Sequence, residues 1–296
     1  MTAATSEAPT PTTVTAATAA AAVAPAAQRI VHRRHWGAWA FGLVVLALVA
    51  AVLKAAIAAR IVDAGIVGKY IFSEQIVTGA VNSLMLGTVA LLIAVLVGLV
   101  TALMRVSGNP ILVAFSATYV YLFRGTPMLI QLIFWFNAFP TMFKQLHIEL
   151  FGFVLVSVPM TQFITPYGAA LLGLSLAEGA YMAEIIRGGI LAVDAGQRDA
   201  ARSLGMSTAQ LMRRIVIPQA SRIIVPATGN QYIMLLKSTS LASAIGYLEL
   251  LRISTDIYAS NFRVVELLTV AAFWYLVMTA FATALQTGLE KRFPHR

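Results

Sequence analysis

Four ionisable residues interrupt otherwise apolar stretches of this 296-residue chain: Arg124, Glu178, Glu184 and Lys237. A charged side chain at the centre of a bilayer costs at least about 2.5–3.5 kcal/mol, so one retained there faces a cavity or a partner. Glu178 falls near the middle of a predicted span. Its carboxylate could contact a substrate ammonium or guanidinium, or pair with Lys237 or Arg124 and fix helix packing. Glu184 stands three residues before Arg187, the spacing of an ion pair on one helix face, which favours a structural role. Arg124 precedes Gly125, Thr126 and Pro127, a helix break where a guanidinium can bond carbonyls freed by the kink or guide a carboxylate. Lys237, Thr239 and Ser240 place donors midway through a later span. Thr126, Gln131 and Tyr181 add neutral hydrogen-bonding groups. Such stripes serve helix packing as well as binding; as a set they suggest a wet cavity.

Other chemistries drop out. The chain has no cysteine, and its four histidines, His32, His35, His147 and His295, are too scattered for a metal cluster. A phosphate-binding loop needs G-x-x-x-x-G-K-[ST]. The nearest match, ending Gly68-Lys69-Tyr70, has Asp63 in place of the first glycine and a tyrosine in place of the hydroxyl residue. No cofactor is expected on this chain.

The elements that position these residues are membrane helices. Hydrophobic residues make up 59% of the sequence and charged ones 11%, and the mean hydropathy is +0.81; soluble domains carry about 25% charged residues. A span needs about 20 mostly apolar residues. Six are predicted: Trp36 to Leu53 with Lys54 at its edge, then about 80–104, 111–139 with a kink, 163–186, 223–248 and 267–289. Gly79, Ser83 and Gly87 give the second a small-residue edge for close packing. Residues 140–162 read as a loop holding a short buried or interfacial apolar piece. The expected fold is an all-α polytopic membrane bundle. Residues 1–35, Ala/Thr/Pro-rich and ending in a basic flank, read as a disordered tail. Residues 36–69 hold an accessory helix and outer linker, 70–290 the transmembrane domain, and 291–296 a basic C-terminus.

Charge placement orients the bundle. With the N-terminus inside, thirteen of the 21 Lys and Arg residues fall on inner flanks and five outside, the remaining three lying in spans. Basic residues favour cytoplasmic loops, so both termini and the 187–222 loop are expected there. The net charge of +9 therefore needs no nucleic acid. Within that loop Asp194 can cap a helix that stops at Gly205, and Ser207 with Gln210 forms a capping box for a second helix closed by Pro218. Leu204, Leu211, Ile215 and Ile217 are expected to pack on the spans while the charged residues face the cytosol.

Asp199-Ala200-Ala201, then Gly205, Ile215, Ile217 and Pro218, resembles the EAA loop of ABC importer permeases, E-A-A-x3-G-x9-I-x-L-P. Every spacing fits; Asp199 stands for the family's Glu and Ile217 for its Leu. Phe123-Arg124-Gly125-Thr126-Pro127 with Gln131, Gly179-Ala180-Tyr181-x-Ala183-Glu184-Ile185-x-Arg187, and Lys237-Ser238-Thr239-Ser240-Leu241 resemble segments of the polar amino-acid branch, with Ser238 where that branch has Asp. The resemblance covers roughly residues 70–290 and implies a five-span importer core beside the accessory span. It implies that Asp199, Ala200, Ala201, Gly205, Ile215, Ile217 and Pro218 belong to a loop docking in a cytoplasmic ATPase, the partner subunit expected to hold ATP and its Mg²⁺. It further implies a second permease subunit, identical or related, an extracytoplasmic amino-acid-binding protein, and alternating access in a bacterial inner membrane. Rival readings are a proton-coupled secondary transporter relaying through Glu178 and Glu184, a channel or membrane scaffold, and an importer of another small polar solute such as an opine or a compatible solute.

Overall fold

The computed structural model describes residues 42–48, 50, 51, 54, 55, 62–150 and 153–291. The tail expected over 1–35, its Arg29, Arg33 and Arg34, and Arg292 to Arg296 lie outside the described residues. So does much of the first predicted span, of which residues 42–48, 50 and 51 are described and helical. The chain divides into two units, Met1–Ala56 and Ile57–Arg296, and the second carries every helix and strand from residue 64 onward.

A short helix, α1 (Ala64–Tyr70), capped by Asp63 through the Gly65 and Ile66 amides, precedes α2 (Glu74–Val106). At about 1.5 Å per residue, the 33 residues of α2 exceed the thickness of a hydrocarbon core. Its small residues bring neighbours close. A Cβ on Gly79 would lie 3.0 Å from Leu250 Cα, one on Gly87 2.9 Å from Leu236 Cδ2, and one on Gly98 2.6 Å from Met182 Cβ. Gly79, Ser83 and Gly87 are all buried, so the predicted small-residue edge is a packing edge.

Helix α3 (Pro110–Gly125) is capped by Asn109 and has proline in its first turn, where no amide hydrogen is needed. It ends at Thr126, whose backbone is extended as a residue before proline should be. The chain resumes as α4 (Met128–Met142), which contains a π turn at Phe134–Ala138. The span expected over 111–139 is thus two helices with a break between them.

Residues 140–162 depart from the expected loop: β1 (Gln145–Leu150) and β2 (Phe153–Pro159) pair antiparallel, with Gln145 opposite Pro159 and a shift of register between Ile148 and Glu149. The run Val154-Leu155-Val156-Ser157-Val158 is rich in β-branched residues, and strand pairing satisfies its backbone where it is too short to span as a helix. After the short α5 (Met160–Phe163), Thr165 caps α6 (Pro166–Leu191) through the Gly168 amide. By length and composition α2, α6 and α11 (Val264–Glu290) can each cross a membrane. The most apolar window of α6 is 67% buried, against 33% and 28% for the other two. Helix α6 is therefore the one wrapped by protein, and it carries Glu178, Tyr181 and Glu184.

Beyond α6 come α7 (Ala195–Ser203) and α8 (Thr208–Leu211). A π turn, Met212–Val216, leads directly into α9 (Ile217–Ser238), extended by a 3-10 stretch, Thr239–Ile245. Pro218 does not close α8. The Ile217 amide reaches back five residues to the Met212 carbonyl, so the chain stays helical through the widened turn and Pro218 falls in the first turn of α9. Finally α10 (Leu250–Asn261) is capped by Glu249 and leads to α11.

Candidate coupling loop and transport path

The loop between α6 and α9 is built from local rules. The Asp194 carboxylate accepts the Gln197 amide at 3.1 Å and starts α7. Gly205, at φ +74°, ends it. The Gly205 amide bonds the Arg202 carbonyl at 2.9 Å and the Met206 amide bonds Ala201 at 3.1 Å, which is a Schellman closure requiring a left-handed residue. Ser207 and Gln210 then exchange reciprocal bonds as a capping box and start α8. Two short helices therefore meet at a glycine.

The faces of α7 differ. Ala201 is 2% exposed and packs with Ile186, Ile190, Val193, Leu211, Val216 and Ala220. Asp199 and Ala200 point outward, and the Asp199 side chain makes only an exposed contact with Arg202 at 3.6 Å. Leu211 is buried and Ile215 packs on the same cluster, as expected. Leu204 and Ile217 are not packed on the spans: they are 83% and 54% exposed. Leu204 lies where the chain turns away at Gly205, and the extra residue of the π turn rotates the register so that Val216, 1% exposed, takes the inward position instead of Ile217.

Three residues outside the motif hold α7 in place. The Arg198 guanidinium donates to the Ile190 carbonyl, and to the Val193 carbonyl at 2.9 Å, at the end of α6. Gln219, in the first turn of α9, donates to Gln197 Oε1 at 2.6 Å. The Ile190 and Gln219 partners lie 8 and 22 residues away, beyond the reach of any helical spacing rule, so only the fold reveals them.

Along the membrane helices the candidate residues separate into groups. Glu178 is 2% exposed, its Oε1 has no hydrogen-bond partner, and Gln231 of α9 lies beside it. Nearby, the Tyr119 hydroxyl donates to the Leu176 carbonyl at 2.6 Å and ties α3 to α6. Arg124 lies over the Tyr181 ring at 5.1 Å from its centroid. The broken helix is bridged by Gln131 instead: its Nε2 faces the Phe123 carbonyl at 2.9 Å, the Thr126 carbonyl at 3.0 Å and Thr126 Oγ1 at 2.8 Å. A short amide rooted in the second helix reaches these oxygens while the longer arginine finds an aromatic face. An open pocket of about 410 Å³, with Thr126 and Gln131 among mainly apolar walls, lies at the break. Glu184 takes Arg187 at 2.7 Å and Arg105 of α2 at 3.8 Å, a cluster joining two helix ends.

Lys237, Thr239 and Ser240 fall where α9 passes into its 3-10 extension. Lys237 occupies the last turn of α9 and is exposed, while the Thr239 and Ser240 hydroxyls donate to the Leu236 and Lys237 carbonyls of their own helix, both at 2.8 Å. A further buried carboxylate, Glu249, has no signature in the sequence. It accepts the Leu251 and Arg252 amides, the Tyr275 hydroxyl at 2.6 Å and the Ser83 hydroxyl at 3.3 Å, joining α2, α10 and α11.

Membrane-length helices packed through glycine, a polar helix break, a buried carboxylate on the most enclosed of them, and a pair of short helices displayed at that helix's end define a helical membrane protein of the transport class. Residues 94–295 match the family of binding-protein-dependent transport system inner membrane components, and the chain belongs to that family. It is a multi-pass inner-membrane protein, and every candidate residue lies within the matched stretch. The arginine transport system permease protein ArgU of Corynebacterium glutamicum is 40% identical over 261 residues, covering 88% of this chain and 81% of that one. The nopaline transport system permease protein NocM of Agrobacterium fabrum is 40% identical over 207 residues, 69% of this chain and 81% of its own. Among solved structures, an amino acid ABC transporter with histidines is 36% identical, with a TM-score of 0.63 over 74% of this chain and 94% of that one.

Proposed function

We propose that this chain is the permease subunit of an ATP-binding-cassette importer for polar amino acids and couples to a separate ATPase through α7, Gly205 and α8. The observation that carries the reading is the exposed Asp199-Ala200 face of α7, set on a helix whose opposite face, at Ala201, is packed against the end of α6. A docking element needs that combination: free on one side and anchored to the transport helices on the other. ATP hydrolysis belongs to the partner subunit, and an extracytoplasmic binding protein delivers the solute.

The path runs past Glu178. Its carboxylate is almost wholly buried with an oxygen unpartnered, and Ser175, one turn earlier on α6, also has a buried hydroxyl without a partner. A cationic ligand group reaching this pair would satisfy atoms that the bundle leaves unsatisfied. Arg124 on Tyr181 offers a separate anion-binding group for a carboxylate, so the two charges fit a zwitterionic amino acid. Glu184 is occupied by two arginines, which disfavours a proton relay through it. Opines are themselves amino-acid derivatives, and the likeness to a nopaline permease keeps them in the substrate class.

The test is uptake by the complex, purified through this chain and reconstituted, from a panel of radiolabelled amino acids and nopaline. Uptake that persists without ATP and collapses with an uncoupler would overturn the reading. Glu178→Gln should weaken transport of cationic members about tenfold, the loss of one charge-assisted contact, and neutral members less. An equal effect on both would make Glu178 a packing residue.

A further inference from the structure

Helix α6 ends without a basic residue in its last turn, although the carbonyls there have no intrahelical partners and carry partial negative charge. The missing cation arrives from the coupling helix. Arg198 on the second turn of α7 folds back and donates to Ile190, in the last turn of α6, and to Val193 just beyond it. One residue earlier, Gln197 accepts the Gln219 amide from the first turn of α9. Adjacent residues of one nine-residue helix are therefore bonded to the ends of two different long helices, and Ala201, one turn on, is packed between them.

We propose that Arg198 and the Gln197–Gln219 pair are positioning residues that lock α7 to α6 and α9, so that displacement of α7 by a docked ATPase reaches the helix bearing Glu178 as one motion. The inference rests on α7 being the ATPase-coupling helix. A flexible helix of nine residues on a glycine hinge would absorb such a displacement locally. Two bonds to separate helix ends remove that freedom, because α7 cannot tilt about one attachment without breaking the other. Arg198 bonds inward and Gln197 bonds sideways to Gln219 at the surface, so the Asp199 face is left to the partner.

The complex is purified through this chain with its ATPase and reconstituted with its binding protein, using arginine as the transported probe. Arg198→Ala and Gln219→Leu should retain the ATPase and its hydrolysis rate within about twofold, while uptake per ATP falls about fivefold or more, the lower range of typical coupling between sites. Gln219→Glu keeps a hydrogen bond, now donated by the Gln197 amide, and should recover most of the ratio. A second readout needs no substrate. The chain has no cysteine, so spin labels at Gly188→Cys and Ser203→Cys report the α6–α7 distance, which should broaden in Arg198→Ala and Gln219→Leu. Unchanged distances and unchanged uptake per ATP would overturn the proposal, as would loss of uptake in strict proportion to loss of bound ATPase. Asp199→Arg separates the two readings. If it fails to release the ATPase, the docking assignment falls, whereas release by Asp199→Arg with no effect of Gln219→Leu removes only the lock.

Discussion

Gln131 is a small group with a large structural task. Thr126 is extended and Pro127 has no amide hydrogen, so carbonyls near the end of α3 lose their helical donors inside an apolar environment. The two N–H groups of one side-chain amide are shared among the Phe123 and Thr126 carbonyls and the Thr126 hydroxyl. Gln131→Ala, in which the Thr126 hydroxyl keeps its bond to the Leu122 carbonyl, should leave the Phe123 and Thr126 carbonyls without that donor, at about 1–3 kcal/mol for a buried polar group. Its thermal midpoint in detergent should fall by several degrees, measured against Arg124→Ala. Arg124 is exposed and rests on Tyr181, so its loss should cost stability less and transport more. The opposite ranking would return the helix-break role to Arg124.

At the scale of elements, what the sequence reveals depends on range. The Asp194 cap, the Gly205 stop and the Ser207–Gln210 box each join residues within a few positions, and each is legible from residue types and spacing alone. The small-residue edge of α2 is equally plain from its spacing. The two π turns are not, because an extra residue per turn leaves composition untouched yet shifts every later side chain; Ile217 and Val216 exchange roles on that account. The Glu249 network is hidden because its partners, Ser83 and Tyr275, come from helices far apart in sequence. Gly205 offers a clean test of an element boundary. A Cβ there meets nothing within 4 Å, so a substitution acts through the positive φ alone. Gly205→Val should cost about 1–3 kcal/mol at that position, leave the protein inserted, and lower uptake while ATP hydrolysis continues, with Gly205→Ala intermediate. Unchanged uptake in the valine variant would sink the coupling role of this turn.

For the whole molecule, charge placement bears on which end faces the cytosol. Six of the thirteen basic residues assigned to inner flanks lie in the 187–222 loop, while the segment before α6 offers Lys144. Only α6 separates Lys144 from that loop as a helix of membrane length and composition, so a crossing by α6 would put the two sites on opposite faces. An ATPase can reach α7 only from the cytosol, and the basic excess points the same way. Because the chain has no native cysteine, Lys144→Cys and Ser203→Cys, both at exposed positions, report on the two faces without background. In sealed inside-out vesicles a membrane-impermeant maleimide should label Ser203→Cys and spare Lys144→Cys, and in spheroplasts the pattern should reverse. Labelling of Ser203→Cys from outside would place α7 beyond the reach of any cytoplasmic ATPase. It would also mean that the arginine excess of the loop is retained for packing, as the Arg198 contacts to the end of α6 would allow, and not for orientation.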